Sequence, residues 1–335
     1  MYALEILEKL IGNTPMIGIK YRFQEKEGVI YVKCEHYNFT GSIKDRIALK
    51  IFKEAVEEGK LKPGYTIVEA TSGNTGISVS ALGKFLGCKV KIFMPNWLSK
   101  ERKCIIKSFG AKITTVSKSE GGFLKSISMA KEVFQNNRNT FWVDQFANVN
   151  NVKAHEKTGK ELVEQLQRKN LTIDAFIAGV GTGGTIIGVG RELRKHNQNV
   201  KIHPLEPKES PTLTTGYKVG SHRIQGISDE FIPEIFTMDK TDEIIQVSDG
   251  DAIIMAQKLA QTLGLGVGIS SGANFIGAIK LQQKYGMHSV VATVFPDDNK
   301  KYLTTDLCRK EPIKNEHFAH MVELLEITET ITIKN

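Results

Sequence analysis

Short apolar runs alternate with amphipathic segments of helical period along this chain, and that alternation limits its fold more than any other feature. Strand-like runs occupy residues 29–32, 66–68, 89–94, 112–116, 140–143, 174–180, 201–205 and 289–295. Helical spacing of apolar residues predicts helices over 3–11, 42–60, 74–86, 99–110, 123–137, 152–168, 184–196, 249–263 and 271–285. Gly59, Gly87 and Gly110 mark the ends of three of them, as residues that turn left-handed without strain do. Strands joined through helices form βαβ units, and these build parallel sheets covered on both faces. A chain of 335 residues has room for two such layers. The expected class is α/β with two domains, each a mainly parallel twisted sheet flanked by helices.

Composition narrows the functional classes. With 41% apolar and 24% charged residues the chain reads as an ordinary globular protein. Lysine and arginine outnumber the acids 45 to 37, for a formal charge of +8. The cations are interleaved with glutamates along the helices instead of forming a stripe, so a small anionic ligand is expected and nucleic acid is not. No apolar run is long enough for a membrane span, and Met1-Tyr-Ala-Leu-Glu lacks the basic-then-apolar pattern of a signal segment. Cys34, Cys88, Cys104 and Cys308 form no C-x-x-C pair, so a cytoplasmic protein with reduced thiols is expected. His317 and His320 stand three apart in a polar tail without further ligands, so no metal site is expected. Cys34 fits a buried strand residue better than a nucleophile.

One stretch carries chemistry directly. Asn38-Phe-Thr-Gly-Ser-Ile-Lys44-Asp-Arg46 follows the 29–32 strand. Asn38, Thr40 and Gly41 read as the turn that ends it. Ser42 and Asp45 have the spacing of a capping box that opens a helix. Lys44 then lies in the first helical turn, where the macrodipole disfavours a cation and eases loss of the proton, as an amine nucleophile requires. A solvated first-turn lysine fits the same residues.

Two further loops follow apolar strands. Glu69-Ala-Thr71-Ser72-Gly-Asn74-Thr75-Gly76 follows one, and Gly181-Thr182-Gly183-Gly184-Thr185 follows another. Glycines between a strand and a helix let backbone N–H groups close on a phosphate, with the helix N-terminus adding partial positive charge. A nucleotide loop or a plain tight connection would look the same. No G-x-x-x-x-G-K-[ST] favours an NTPase.

Together with Lys44, these loops resemble the pyridoxal phosphate enzymes of the β-family, fold type II, the cysteine synthase and cystathionine β-synthase group. The resemblance runs from Ile11-Gly-Asn-Thr-Pro15 to Lys301-Tyr-Leu-Thr304. It implies a tryptophan synthase β-like arrangement with pyridoxal 5'-phosphate in a cleft between two domains. The smaller domain would cover 40–145 and clamp substrate; the larger, 1–39 plus 146–310, would bind the cofactor; 311–335 would be a tail. Lys44 matches the Schiff-base lysine, and Gly181, Thr182, Gly183, Gly184 and Thr185 the phosphate loop. Ser270, in Ser270-Ser-Gly-Ala273, matches the partner of the pyridine nitrogen, although a serine N-cap of the following helix fits it as well. A hydroxyl there weakens the electron sink and suits β-elimination. Thr71, Ser72 and Thr75 match the grip on the substrate carboxylate, Asn74 the residue at the cofactor's 3-oxygen, and Gln145 the end of the clamp. Taken alone, Gln145 is equally an ordinary strand-end residue. A homodimer is implied by the same analogy.

The chain departs from the family where the motif usually reads Gln-Gly-Ile-Gly-Ala-Gly-Phe. Here it is Gln225-Gly226-Ile-Ser-Asp229-Glu230-Phe231. A carboxylate beside the cleft repels a hydrosulfide nucleophile, by about 4 kcal/mol at 4 Å and an effective dielectric near 20. It can instead act as general base on water. The expected reaction is therefore loss of sulfide from L-cysteine and addition of water to aminoacrylate, giving L-serine. Asp229 is the candidate base beside Gly226 at the substrate, and Glu230 the reserve. The alternatives are a cysteine synthase using O-acetylserine and sulfide, a cystathionine β-synthase type of replacement, and a catalytically silent regulatory module. Smaller departures are Phe39 for a proline, Leu263 for a glutamate and Asn299 for a glycine.

Overall fold

The computed structural model describes residues 2–228 and 230–333. The chain opens with α1 (Tyr2–Leu10), then β1 (Met16–Phe23), β2 (Lys26–Cys34) and α2 (Lys44–Glu57). An alternating stretch follows: β3 (Thr66–Ala70), α3 (Asn74–Phe85), β4 (Lys89–Pro95), α4 (Lys100–Ser108), β5 (Lys112–Val116), α5 (Gly122–Gln135) and β6 (Thr140–Trp142). The second half runs through α6 (Val149–Gln167), β7 (Ala175–Gly179), α7 (Gly184–His196), β8 (Lys201–Pro207), α8 (Thr212–Thr215) and β9 (Ile245–Val247). It ends with α9 (Asp249–Leu263), α10 (Ile269–Tyr285), β10 (Val291–Phe295) and β11 (Val322–Ile331).

Two sheets result. One holds four parallel strands in the order β5-β4-β3-β6, and the other seven in the order β11-β1-β2-β10-β7-β8-β9. In the larger sheet β1 runs antiparallel to both neighbours, while β2, β10, β7, β8 and β9 are parallel.

Alternation along the strands explains why helices cover both faces. Ala175 and Ile177 of β7 join one apolar cluster with Phe275 and Ile279 of α10, while Phe176 and Ala178 join another with Val152, Ile187 and Val189 of α6 and α7. A period of two thus sends successive side chains of one strand into two cores. The smaller sheet repeats the arrangement, with Ile67 and Ile92 facing α2 and α3, and Ala70 and Phe93 facing Phe123 and Ala130 of α5.

Three strands depart from the sequence reading. β1 and β9 carry no prediction, and the tail read only as weakly apolar pieces forms β11, paired with β1 from Met16–Ile331 to Phe23–Val322. The capping box does not form. α2 starts at Lys44 after Ile43, which makes no side-chain cap, and Asp45 instead accepts from the N–H and hydroxyl of Thr40 at 2.6 and 2.5 Å. Thr40 lies in the turn itself, so Asp45 ties that turn onto the helix it precedes.

Candidate active site

The functional loops all leave the carboxyl ends of parallel strands, where crevices form in open α/β sheets. β3 runs into residues 71–75, β6 into Gln145, β7 into 181–185 and β10 into Pro296 and Asp297. They converge on one cleft lined by Lys44, Ser72, Asn74, Thr75, Gln145, Gly181, Thr182, Gly183, Thr185, Gly226 and Ser270. Lys44 heads α2 and is half-buried.

Loop chemistry shapes the wall opposite Lys44. Gly73 has φ +148°, and a Cβ there would stand 2.2 Å from Cδ of Arg102. The turn therefore closes only with glycine at that place. Thr71 is buried and accepts from the Gly73 N–H at 2.9 Å, so it shapes the turn from behind and is not among the cleft-lining residues. Thr75 donates its hydroxyl to Gln145 Oε1 at 2.6 Å, and Gln145 Nε2 donates to the Ala70 carbonyl at 2.8 Å. Gln145 is thus built into the loop and is not an ordinary strand-end polar residue. Asn74 donates to Asp297 at 2.7 Å, while its own Oδ1 is buried without a partner.

The 181–185 loop has the form of an anion cradle. Gly183 takes φ +86° and caps α7, whose first residue is Gly184. A Cβ on Gly181 would meet the Gly226 carbonyl at 2.5 Å, one on Gly183 would meet Phe236 at 2.7 Å, and one on Gly184 would meet Asn151 Oδ1 at 1.9 Å. Only bare backbone fits, and the opening turn of the helix points N–H groups at the space. Gly184 stands behind this surface, against Asn151. Thr182 accepts from Asn151 at 2.9 Å, and Thr185 Oγ1 lies 3.3 Å from His155 Nε2. His155 is driven well below its ordinary pKa by burial and by the charges of Lys44 and Arg46, so it stays neutral there.

Ser270 lies inside the first turn of α10, and the capping position belongs to Gly268, which offers no side chain. Its hydroxyl is therefore released from capping duty and stands on the cleft wall. Asn274, one turn on, donates to the Val294 carbonyl and accepts from the Gly179 N–H, both at 2.8 Å, fixing this helix against β7 and β10. Unpartnered buried groups gather here: Asn74 Oδ1, Asn151 Oδ1, Asp297 Oδ1 and two nitrogens of Arg102. Buried polar atoms left unpaired in a folded protein call for a bound group. A lysine amine, a backbone anion cradle and a hydroxyl at the head of α10 fit pyridoxal phosphate as that group.

Outside the cleft lies a wider vestibule that shares Ser72, Gln225, Gly226 and Ile227 with it. The 225–228 segment forms the rim, pinned by the Ser228 N–H on the Val180 carbonyl at 2.7 Å. Asp229 lies outside the described residues. Glu230 faces the vestibule and forms an ion pair with Lys218 at 2.7 Å. Sequence reading missed Arg102, Asp297 and Asn274. Nothing in Lys100-Glu-Arg-Lys103 marks which of its basic residues is buried. Cys34 is buried in β2, and burial pushes its thiol up to about 12. Among the described residues no cluster is placed to hold a metal, and no helix is long and apolar enough to cross a membrane.

Fold and cleft together define an enzyme that works with pyridoxal phosphate, and a family described as "Pyridoxal-phosphate dependent enzyme" matches residues 7–297. Within it, this chain belongs to the cysteine synthase family of fold type II. It is 43% identical to cysteine synthase B of Campylobacter jejuni over 92% of this chain and 99% of that protein. It is 40% identical to a cysteine synthase of Staphylococcus aureus over 90% and 96%. Among solved structures, a hydrogen sulfide-producing enzyme of Fusobacterium nucleatum superposes with a TM-score of 0.96 at 54% identity, covering 99% of both chains. A mutant of that enzyme with asparagine in place of an aspartate, complexed with an α-aminoacrylate intermediate, superposes at 0.97 and 54% identity, over 99% of this chain and 100% of that one.

Proposed function

We propose that this enzyme removes sulfide from L-cysteine and adds water in its place, releasing hydrogen sulfide and L-serine. The observation that carries the reading is the acidic pair Asp229-Glu230 in the sequence directly after Gln225-Gly226-Ile-Ser228, where the family motif has small residues. A fixed negative charge there opposes the approach of an anionic sulfur nucleophile and favours a neutral one. The likeness to a hydrogen sulfide-producing enzyme supports the same direction. So does the relative that lacks one aspartate and is complexed with α-aminoacrylate, because a carboxylate that acts after sulfide departs would leave that stage waiting.

The residue roles follow. Lys44 holds the cofactor covalently and moves the proton at Cα. Bound there, pyridoxal phosphate supplies the electron sink for the carbanion at Cα. Gly181, Thr182, Gly183, Gly184 and Thr185 would hold the phosphate, and Ser270 would partner the ring nitrogen. Ser72, Thr75 and Gln145 orient the amino acid, with Thr71 setting the turn that presents them, and Asn74 would serve the cofactor's 3-oxygen. Asp229 takes the proton from the attacking water, since Glu230 is already engaged by Lys218. The four-stranded layer, with 40–145 as its unit, closes over substrate held by the seven-stranded layer, and the active form is a cytoplasmic homodimer.

Purified holoenzyme given L-cysteine alone should release sulfide and L-serine in equal amounts. Asp229→Asn should slow that turnover about 10²- to 10⁴-fold, the usual contribution of a positioned base. Full activity in the variant would remove Asp229 from the mechanism. Failure to act on L-cysteine, with cysteine formed from O-acetylserine and sulfide, would give the protein the activity named for its cysteine synthase relatives.

A further inference from the structure

Arg102 is among the largest fully buried side chains of the protein, at 1% exposure, yet its guanidinium is short of partners. Nη1 donates to Gln225 Oε1 at 2.5 Å and lies 3.5 Å from the Ser72 carbonyl. Nε and Nη2 make no hydrogen bond. The nearest carboxylate, Asp297, stands 3.7 Å away and is already bonded by Asn74 at 2.7 Å and by the Tyr302 hydroxyl at 2.6 Å. The guanidinium carbon sits 4.5 Å from the centre of the Tyr302 ring. Burying a cation in this state is costly unless something else completes its environment.

Its neighbours say what that is. The stem of Arg102 fills the place where a side chain on Gly73 would go, so it braces the 71–75 turn from behind. The same guanidinium reaches Gln225, the first residue of the rim segment between cleft and vestibule. One side chain from α4, on the four-stranded layer, thus joins the turn read as the carboxylate grip to the rim carried by the seven-stranded layer.

We propose that Arg102 is a positioning residue for the substrate α-carboxylate: it latches the Ser72–Gly73 turn to Gln225 when an amino acid is bound and supplies a positive charge behind that turn, held only loosely by Asp297. The substrate touches the turn, and Arg102 acts through it. The ligand class is a small amino acid with a free carboxylate. This inference rests on the proposed role of the 71–75 loop in holding substrate, and does not depend on whether sulfide or water is the nucleophile.

A spectral titration of holoenzyme, following the cofactor absorption band as L-serine or L-serine methyl ester is added, separates the two questions, because it reads binding without turnover. The wild type should prefer L-serine over the ester, and Arg102→Gln should weaken L-serine binding about 10- to 100-fold while leaving the ester within about threefold. Arg102→Lys, which keeps the charge without the fork, should recover part of the loss. With L-cysteine, the variant should raise KM by the same factor and change kcat little. Gln225→Leu should weaken L-serine binding by a smaller factor, and adding it to Arg102→Gln should cost nothing further. Equal losses for acid and ester, or unchanged affinity, would make Arg102 a structural strut and overturn the proposal. If Arg102→Gln does not retain cofactor, Gln225→Leu decides alone: an unchanged acid-to-ester ratio there overturns the latch. A protein that binds L-serine through Arg102 but makes no sulfide from cysteine would leave this inference standing while the proposed reaction falls.

Discussion

Arg46 and Arg102 occupy the same place in two helices, third residue of α2 and third residue of α4, and both are buried. The helix dipole disfavours both. Arg46 is answered in full: it forks onto Glu35 at 2.6 and 2.8 Å and onto Glu161 at 2.6 and 2.8 Å, with Lys33 completing the cluster 2.9 Å from Glu161. Burial pushes both glutamates up, but the guanidinium beside them wins and holds them below the usual carboxylate range. Two cations meet two anions, and the cluster ties β2, α6 and Thr14 to α2, the helix that Lys44 begins. Arg102 has two neutral acceptors on a single nitrogen, a carboxylate 3.7 Å away and two nitrogens without a hydrogen bond, and it lines the cleft. The satisfied arginine holds the scaffold around α2. The unsatisfied one belongs to the part of the molecule that a ligand completes.

Stability measurements can break that contrast. Arg46→Met leaves two buried carboxylates facing one lysine and should cost about 3–5 kcal/mol in denaturant unfolding. A loss below about 1 kcal/mol would mean the cluster does not carry α2. A smaller effect is expected at Glu69, also buried, near the end of β3. Its Oε1 accepts from the Ala70 N–H at 2.9 Å and its Oε2 has no partner. Burial, with lesser help from the charge of Asp144, pushes it up to about 8. Folding therefore takes up a proton between the unfolded value of 4.5 and about 8, so this carboxyl's contribution to stability is present at low pH and fades as pH rises. Across pH 5 to 8 wild-type stability should fall by about 1 kcal/mol per unit relative to Glu69→Gln; parallel pH profiles for the two proteins would mean Glu69 is ionised. The smallest change should come from Arg102→Gln, within about 1 kcal/mol of wild type, since the cation it removes has only a long 3.7 Å ion pair with Asp297 to lose. A loss as large as that of Arg46→Met would erase the distinction between the two arginines.

The legible part of this molecule was its local part. Strands such as β7 and β10, buried on both faces, announce themselves as continuous apolar runs, and the 71–75 and 181–185 loops carry their glycines in plain view. β11 is an edge strand with glutamates on its open face and depends on β1, some three hundred residues away, so nothing near it in sequence signals pairing. The Ser42–Asp45 spacing suggested a box, but Thr40 lay closer to the carboxylate once the turn had folded. Arg102 was hidden for a related reason: its role is set by Gly73, Gln225, Asp297 and Tyr302, which arrive from three separate parts of the chain.

The account depends above all on Lys44 carrying the cofactor in the cleft closed by the 181–185 loop. Borohydride reduction of the purified protein, followed by peptide mass spectrometry, tests this directly. A pyridoxyl adduct on the peptide containing Lys44, absent from Lys44→Ala, is the predicted result. An adduct on another lysine, or none on a protein that still releases sulfide from cysteine, would contradict it.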